Sequence, residues 1–233
     1  MSFAVNALNV RYGKSHVIFD LDLEVGDGEV VALLGRNGAG KTTTLLGILG
    51  LVPGVSGSVR VDGVEVNRMP THRRVQAGIA YVPSGARCFP NLTVGENLDV
   101  AARAGRDGAP GFGKERAFEL FPKLRELQSN MAGGLSGGER QMLAVARALV
   151  SNPRIVLMDE PTEGLAPVIV QAIGRLVLEL KEHGIAVLLA EQNHKMALKV
   201  ADRAAFVEKG QIVEVMPAAA AVESETLHRI LGV

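Results

Sequence analysis

Three short stretches carry residue types at spacings that could do chemistry. The first, Gly35-Arg36-Asn37-Gly38-Ala39-Gly40-Lys41-Thr42-Thr43, follows the apolar run EVVALL and precedes LLGIL. A glycine, four intervening residues and then Gly-Lys-Thr, at a switch from strand to helix, is the phosphate-loop pattern. Backbone N–H groups of such a turn and of the helix that follows surround an anion. Glycine suits this role because a side chain would block the close approach of main chain to phosphate. Lys41 is placed for the β and γ phosphates of a nucleotide such as ATP, and the Thr42 hydroxyl for Mg²⁺.

The second stretch is IVLMDEP, Ile155 to Pro161, where a buried apolar strand ends in two adjacent carboxylates. Alone, such a pair can be no more than solvated acids capping a strand. Beside a phosphate loop it has work to do. Successive side chains on a strand point to opposite sides, so Asp159 and Glu160 are expected to take separate roles. Asp159 suits the metal, directly or through water, and Glu160 suits the water that attacks the γ phosphate. No NKxD-type guanine reader occurs, which counts against a GTPase.

The third stretch is LSGGERQMLAVARAL, Leu135 to Leu149. Ser136 with Glu139 three residues on is a capping box, and it opens an amphipathic helix whose N-terminus is a second anion site.

The elements that must hold these stretches are legible as two kinds of strand. From Val17 to Val25 the sequence alternates, with Val17, Phe19, Leu21, Leu23 and Val25 apolar and Asp20, Asp22 and Glu24 polar, predicting a half-exposed strand with those five apolar residues inward. SVRVDGVEV, Ser58 to Val66, predicts a hairpin turning at Asp62-Gly63, so an antiparallel layer occupies the first part of the chain. By contrast the runs at 30–34, 79–82, 155–158 and 186–190 are continuously apolar and separated by helical segments, as in a parallel sheet covered on both faces. Gly105 to Gly113 is expected to be a loop, Glu115 to Leu127 an amphipathic helix, Glu208 to Gln211 a hairpin turn, and Glu225 to Leu231 a terminal helix.

Composition narrows the classes. The 233 residues are 47% hydrophobic, enough for a full core in one domain. Lys plus Arg and Asp plus Glu are both 25, so no basic excess advertises nucleic acid. The single cysteine, Cys88, cannot form an internal disulfide and suits a reducing compartment. MSFAVNALNV has neither a basic leader nor a long apolar region, and VVALL and IAVLLA are far short of a membrane span, so a soluble chain without a signal peptide is expected.

Taken together, the phosphate loop, the acid pair and Leu-Ser-Gly-Gly-Glu resemble the ATP-binding cassette ATPases over nearly the whole chain. The resemblance implies an α/β fold with a P-loop NTPase (RecA-like) parallel-sheet core, an N-terminal antiparallel β layer and an inserted α-helical subdomain. It divides a single domain, 1–233, into a core with β layer over about 1–84 and 153–233, and a helical subdomain with the signature over about 85–152. It implies that ATP is sandwiched between the phosphate loop of one subunit and Ser136, Gly137 and Gly138 of a second, with Tyr12 stacking on adenine. Phe89 and Pro90 fall in the helical region that docks on membrane partners.

At three positions the sequence departs from the wider family. Ser84 stands where a glutamine usually touches Mg²⁺, Gln192 where a histidine contacts the γ phosphate, and Ala166 where an aspartate follows the acid pair. Glutamine can donate a hydrogen bond but cannot carry a proton's charge. YVPSGARCFPNLTVGENL, DEPTEGLAP and LLAEQNHKMALKVADRAAFVEKGQIV are similar to the second ATPase subunit of branched-chain amino acid importers, a close relative of which serves urea and short amides. What this implies is a peripheral subunit on the cytoplasmic face of the membrane. Its partners would be a second ATPase subunit, permease subunits and, indirectly, a solute-binding protein. A soluble cassette ATPase acting on nucleic acid or the ribosome is the alternative of a different class.

Overall fold

The computed structural model describes residues 2–106 and 112–232. The chain enters through two long strands, β1 (Ser2–Tyr12) and β2 (Ser15–Gly26), then passes into β3 (Val30–Leu34) and, after the glycine-rich turn, α1 (Lys41–Leu49). A hairpin follows, β4 (Val55–Val61) and β5 (Val64–Glu65), then α2 (Thr71–Gln76) and β6 (Ile79–Val82). Next comes a helical run: α3 (Val94–Ala104), α4 (Lys114–Leu120), α5 (Pro122–Glu126) and α6 (Gly137–Val150). The remainder alternates, with β7 (Ile155–Asp159), α7 (Pro167–Glu182), β8 (Ala186–Glu191), α8 (His194–Val200), β9 (Arg203–Glu208), β10 (Gln211–Pro217), α9 (Ala218–Ala221) and α10 (Glu225–Leu231).

Two sheets result. The first is antiparallel in the order β2-β1-β4-β5, and the second runs β10-β9-β3-β8-β7-β6 with only β10 antiparallel to its neighbour. Strands β3, β7 and β8 are buried along their whole length because the two faces of the parallel sheet feed two cores. Val30, Ala32 and Leu34 pack toward the helices; Val31 and Leu33 pack toward α1 and the antiparallel layer. That is why these strands are apolar without alternation: a polar side chain on either face would lose about 1.5–3 kcal/mol of burial and strand a polar group as well.

Two expected elements are modified for readable reasons. Strict alternation in β2 fails at Asp20, which takes φ 41°, so the register slips between Leu8↔Leu21 and Val10↔Ile18. Ile18 is therefore buried and Phe19 only half-buried; the bulge shifts the inward set by one residue. The helix expected over Glu115 to Leu127 is two, broken at Phe121 (φ −126°, ψ 75°). Pro122 causes the break: a residue before proline is driven out of helical geometry, while Pro122 itself sits comfortably at the start of α5. The Asp62-Gly63 hairpin turn is as expected, both residues at positive φ. The terminal hairpin pairs β9 with β10 around Lys209-Gly210. Most of the loop expected over Gly105 to Gly113 lies outside the described residues. Strand β1, whose apolar residues carry no clean period, is an element that periodicity alone misses.

In the order β3-β8-β7 three parallel strands end side by side, at Leu34, Glu191 and Asp159. Two of the three chemical stretches, the phosphate loop and the acid pair, lie there. The carboxyl ends of a parallel sheet are where main chain is left unpaired and loops can build a pocket.

Candidate functional site

Gly35 is buried at the end of β3, Arg36, Asn37 and Gly38 are exposed, and Ala39 and Gly40 turn back into the protein. The Ala39 N–H donates to Arg36 O (3.1 Å), closing the turn. Gly40 precedes α1 at φ 114°, and a Cβ there would lie 2.7 Å from Ile18, so both backbone angle and space demand glycine. Glycine at 210 serves the same end from outside. Its N–H donates to Ala39 O (2.8 Å), and a Cβ would collide with Val17 O at 1.8 Å. The β9–β10 turn thus props the phosphate loop.

Lys41 is 4% exposed. Its Nζ donates to Gly35 O (2.9 Å) and Arg36 O (3.5 Å) and lies 3.1 Å from Glu160 Oε1. The Thr42 hydroxyl donates to Asp159 Oδ1 at 2.9 Å, and Tyr81 OH donates to Asp159 Oδ2 at 3.2 Å. Thr43 is half-buried, and Thr44 Oγ1 donates to Gly40 O (3.0 Å), tying the helix start to the loop. Asp159 is fully buried, and burial pushes its pKa above the ordinary 3.8 against the opposing hydrogen bonds from Thr42 and Tyr81. Burial, then the charge and hydrogen bond of Asp159, push Tyr81 well above the usual phenol range.

The acid pair does separate, but not through strand alternation. Glu160 lies beyond β7 at φ 46°, a strained angle for a residue with a Cβ, and its N–H donates to Ala190 O (2.8 Å). That single left-handed residue turns one carboxylate to Thr42 and the other to Lys41. Gln192, the first residue after β8, is exposed and shares a 310 Å³ cleft with Glu160, Thr162 and Glu163. Ser84 sits in the turn after β6, the strand next to β7, and among the described residues makes no hydrogen bond to the acid pair; Tyr81 makes that contact instead. Tyr12 ends β1 and is 41% exposed.

Ser136 caps α6 through a full capping box: Ser136 Oγ accepts from the Glu139 N–H (3.3 Å), and Glu139 Oε2 from the Ser136 N–H (2.8 Å). The Ser136 backbone contact holds Glu139 below its ordinary pKa. Gly137 is exposed, with nothing within 4 Å of where a Cβ would stand. Among the described residues no hydrogen bond or ion pair links Ser136, Gly137 or Gly138 to the phosphate loop.

Two residues here were not singled out from sequence. Tyr81 is the polar handle on an otherwise apolar strand IAYV, and only its position beside β7 shows its use. Glu191 is 2% exposed and accepts from Thr162 N (3.1 Å), Thr162 Oγ1 (2.6 Å), Gln192 N (3.2 Å) and Asn193 N (3.2 Å). Burial still raises its pKa above 4.5.

The donor set fits a nucleotide and a hard cation. Thr42 and Asp159 present two oxygens within one hydrogen bond of each other at the start of α1, the type of ligand Mg²⁺ selects. The buried Lys41 ammonium supplies the charge for phosphate.

Comparison with known proteins agrees with this geometry. The protein-family model described as ABC transporter matches residues 18–163. The high-affinity branched-chain amino acid transport ATP-binding protein BraG of Pseudomonas aeruginosa is 44% identical over 206 residues, 88% of each chain. The probable branched-chain amino acid transport ATP-binding protein LivF of Archaeoglobus fulgidus is 39% identical over 88% of this chain and 87% of its own. The lipopolysaccharide export system ATP-binding protein LptB of Haemophilus influenzae is 37% identical over 94% and 92%. Among solved structures, an ATP-binding subunit of an ABC transporter superposes with a TM-score of 0.84 at 27% identity, covering 100% of this chain and 94% of that one. A dimeric ATP-binding cassette in a post-hydrolysis state with ADP and Pi superposes with a TM-score of 0.80 at 25% identity, over 93% and 98%. The chain belongs to the ABC transporter family, as its ATP-binding, ATP-hydrolysing cassette subunit.

Proposed function

We propose that this cassette powers uptake of branched-chain amino acids, working as a pair of ATPase subunits against the cytoplasmic face of membrane permease subunits that a solute-binding protein feeds. The support for the solute is the 44% and 39% identity to relatives named for that transport, together with Gln192 and Glu163-Gly164-Leu165-Ala166-Pro167. The pairing is supported by the dimeric solved cassette. Among the described residues no helix is long and apolar enough to cross a membrane.

The observation that carries the mechanism is the convergence of Lys41, Thr42, Asp159 and Glu160 at 2.9 to 3.1 Å. Gly35 to Thr43 hold the phosphates with main-chain N–H groups and Lys41. Thr42 and Asp159 would hold Mg²⁺, which neutralises charge on the β and γ phosphates. Ser84, one strand away, would reach that ion only through water. Glu160 accepts a proton from water as the water oxygen bonds to the γ phosphorus and the bond to the β-phosphate oxygen breaks, leaving ADP and phosphate. Gln192 donates to a γ-phosphate oxygen. Tyr12 stacks on adenine, and Ser136, Gly137 and Gly138 close on the nucleotide of the partner subunit. The permease is received by the 410 Å³ apolar groove beside Phe89, which is 44% exposed and carries the Arg147 guanidinium 4.5 Å above its ring.

The test is reconstitution with the permease subunits in vesicles. ATP-driven uptake of labelled leucine that Glu160→Gln abolishes supports the proposal; ATP-driven movement of urea or lipopolysaccharide instead of leucine sinks the solute assignment.

A further inference from the structure

A cleft of 440 Å³ opens at the amino ends of β7 and β8, the opposite end of the parallel sheet from the phosphate loop and the acid pair. Arg106, after α3, and Phe112 and Arg116, before and within α4, form one wall. Arg154 and His183, in the turns that lead into β7 and β8, form the other. The cleft therefore bridges the helical run between β6 and β7 and the turns that feed the sheet. Among the described residues no carboxylate lines it.

Its cations are unequally satisfied. Arg116 pairs with Glu119 (2.8 Å) and Glu179 (2.5 Å), both outside the lining. Arg154 has Asp62 Oδ2 at 3.4 Å from its Nε, an ion pair without a hydrogen bond, and that buried Nε has no hydrogen-bond partner among the described residues. Arg106 has no ion-pair partner among the described residues; its Nε donates to Asn152 O (3.3 Å). Burial first, then the Arg154 charge, hold Arg106 below the usual guanidinium range, against the pull of Asp62. Two guanidiniums thus repel one another, with a single carboxylate acting on both.

Like charges held together at a cost are the arrangement that an anion relieves. A guanidinium is a rigid planar fork that suits phosphate and carboxylate alike. These forks reach the cleft from separate stretches of chain, and a tetrahedral phosphate offers oxygens to forks on different sides, whereas a planar carboxylate serves only those near its plane. The rings of Phe112 and His183, with centroids 5.3 Å apart, add a wall for the rest of a phosphorylated molecule. We propose that this cleft is a phosphate site separate from the nucleotide site, taking a small phosphorylated molecule on Arg106 and Arg154. Bound there, the molecule fastens the helical run to the turns before β7 and β8 and stabilises that arrangement by mass action.

The experiment titrates inorganic pyrophosphate into the full chain, with the phosphate loop first saturated by ADP in magnesium-free buffer, and reads binding by calorimetry and by the rise in melting temperature. A single pyrophosphate per chain is expected to bind beside the ADP. Arg106→Gln and Arg154→Gln are each expected to weaken it about tenfold or more, with ADP affinity held within about twofold. Arg106→Gln breaks no ion pair, so it decides alone if Arg154→Gln fails to fold. Inorganic phosphate binding as tightly as pyrophosphate supports free phosphate as the occupant, and tighter pyrophosphate supports a larger phosphorylated molecule. No binding up to about 5 mM, or an affinity unchanged in both variants, overturns the proposal. So does displacement of ADP, which places the probe in the phosphate loop, and so does malonate competing as well as pyrophosphate, which makes the site one for dicarboxylates.

Discussion

Strands β7 and β8 are neighbours in the sheet, buried throughout, and each ends in an acid followed by a polar residue: Asp159-Glu160 and Glu191-Gln192. Written as sequence the two ends are nearly the same device. In the folded molecule they do opposite things. Glu160 faces Lys41 across an open cleft and keeps lone pairs for a ligand, whereas Glu191 spends its oxygens on four internal donors and is closed to chemistry. The difference comes from what lies opposite: α1 carries Lys41 and Thr42 to the end of β7, while at the end of β8 Thr162 brings its N–H and hydroxyl and the chain leaving the strand adds the N–H groups of Gln192 and Asn193. An acid is reactive where its capacity is unspent, and structural where the fold has saturated it.

The sharpest way to break this contrast is to neutralise both acids. Glu160→Gln is expected to lower ATP turnover about 10²- to 10⁴-fold with nucleotide affinity retained, read by phosphate release and equilibrium binding. Turnover within about threefold of the parent would remove Glu160 from the reaction. Glu191→Ala should do the reverse. It leaves a buried N–H, a buried hydroxyl and two part-buried N–H groups unpaired, so a stability loss of about 2–3 kcal/mol in urea unfolding is expected, with turnover per folded molecule little changed. A variant as stable as the parent would show that the four contacts are dispensable.

Smaller effects sharpen the picture. Tyr81→Phe should cost about 1 kcal/mol and slightly lower metal-dependent turnover, because Asp159 loses one of two hydroxyl donors. A magnesium titration checks it. The smallest effect is in pH. Burial raises the folded-state pKa of Glu191 above 4.5, so its contribution is complete below that value and declines as pH rises through the folded pKa. The penalty of Glu191→Ala should therefore be smaller at pH 8 than at pH 5, by unfolding at both; an equal or larger penalty at pH 8 would reverse the sign.

Legibility followed the range of the interaction. Phosphate loop, acid pair, capping box and hairpin turn are local patterns, each complete within about ten residues, and each appears where its residues predict. The break at Phe121 was written in Pro122. The bulge at Asp20 was not, because Val17-Ile18-Phe19 can present either Phe19 or Ile18 inward, and the pairing with β1 chose Ile18. Tyr81 and Asp159 are 78 positions apart, and Thr42 and Asp159 are 117 apart. No window of sequence contains either pair.

By itself, then, the order of residues determined which groups could bind a phosphate, ligate a hard cation or accept a proton, since that depends on side-chain chemistry and local backbone freedom. Which carboxylate stays open and which is consumed was decided only in three dimensions. Parallel strands far apart in the chain bring their ends together, and hydrogen-bond capacity is settled by whatever lands beside them.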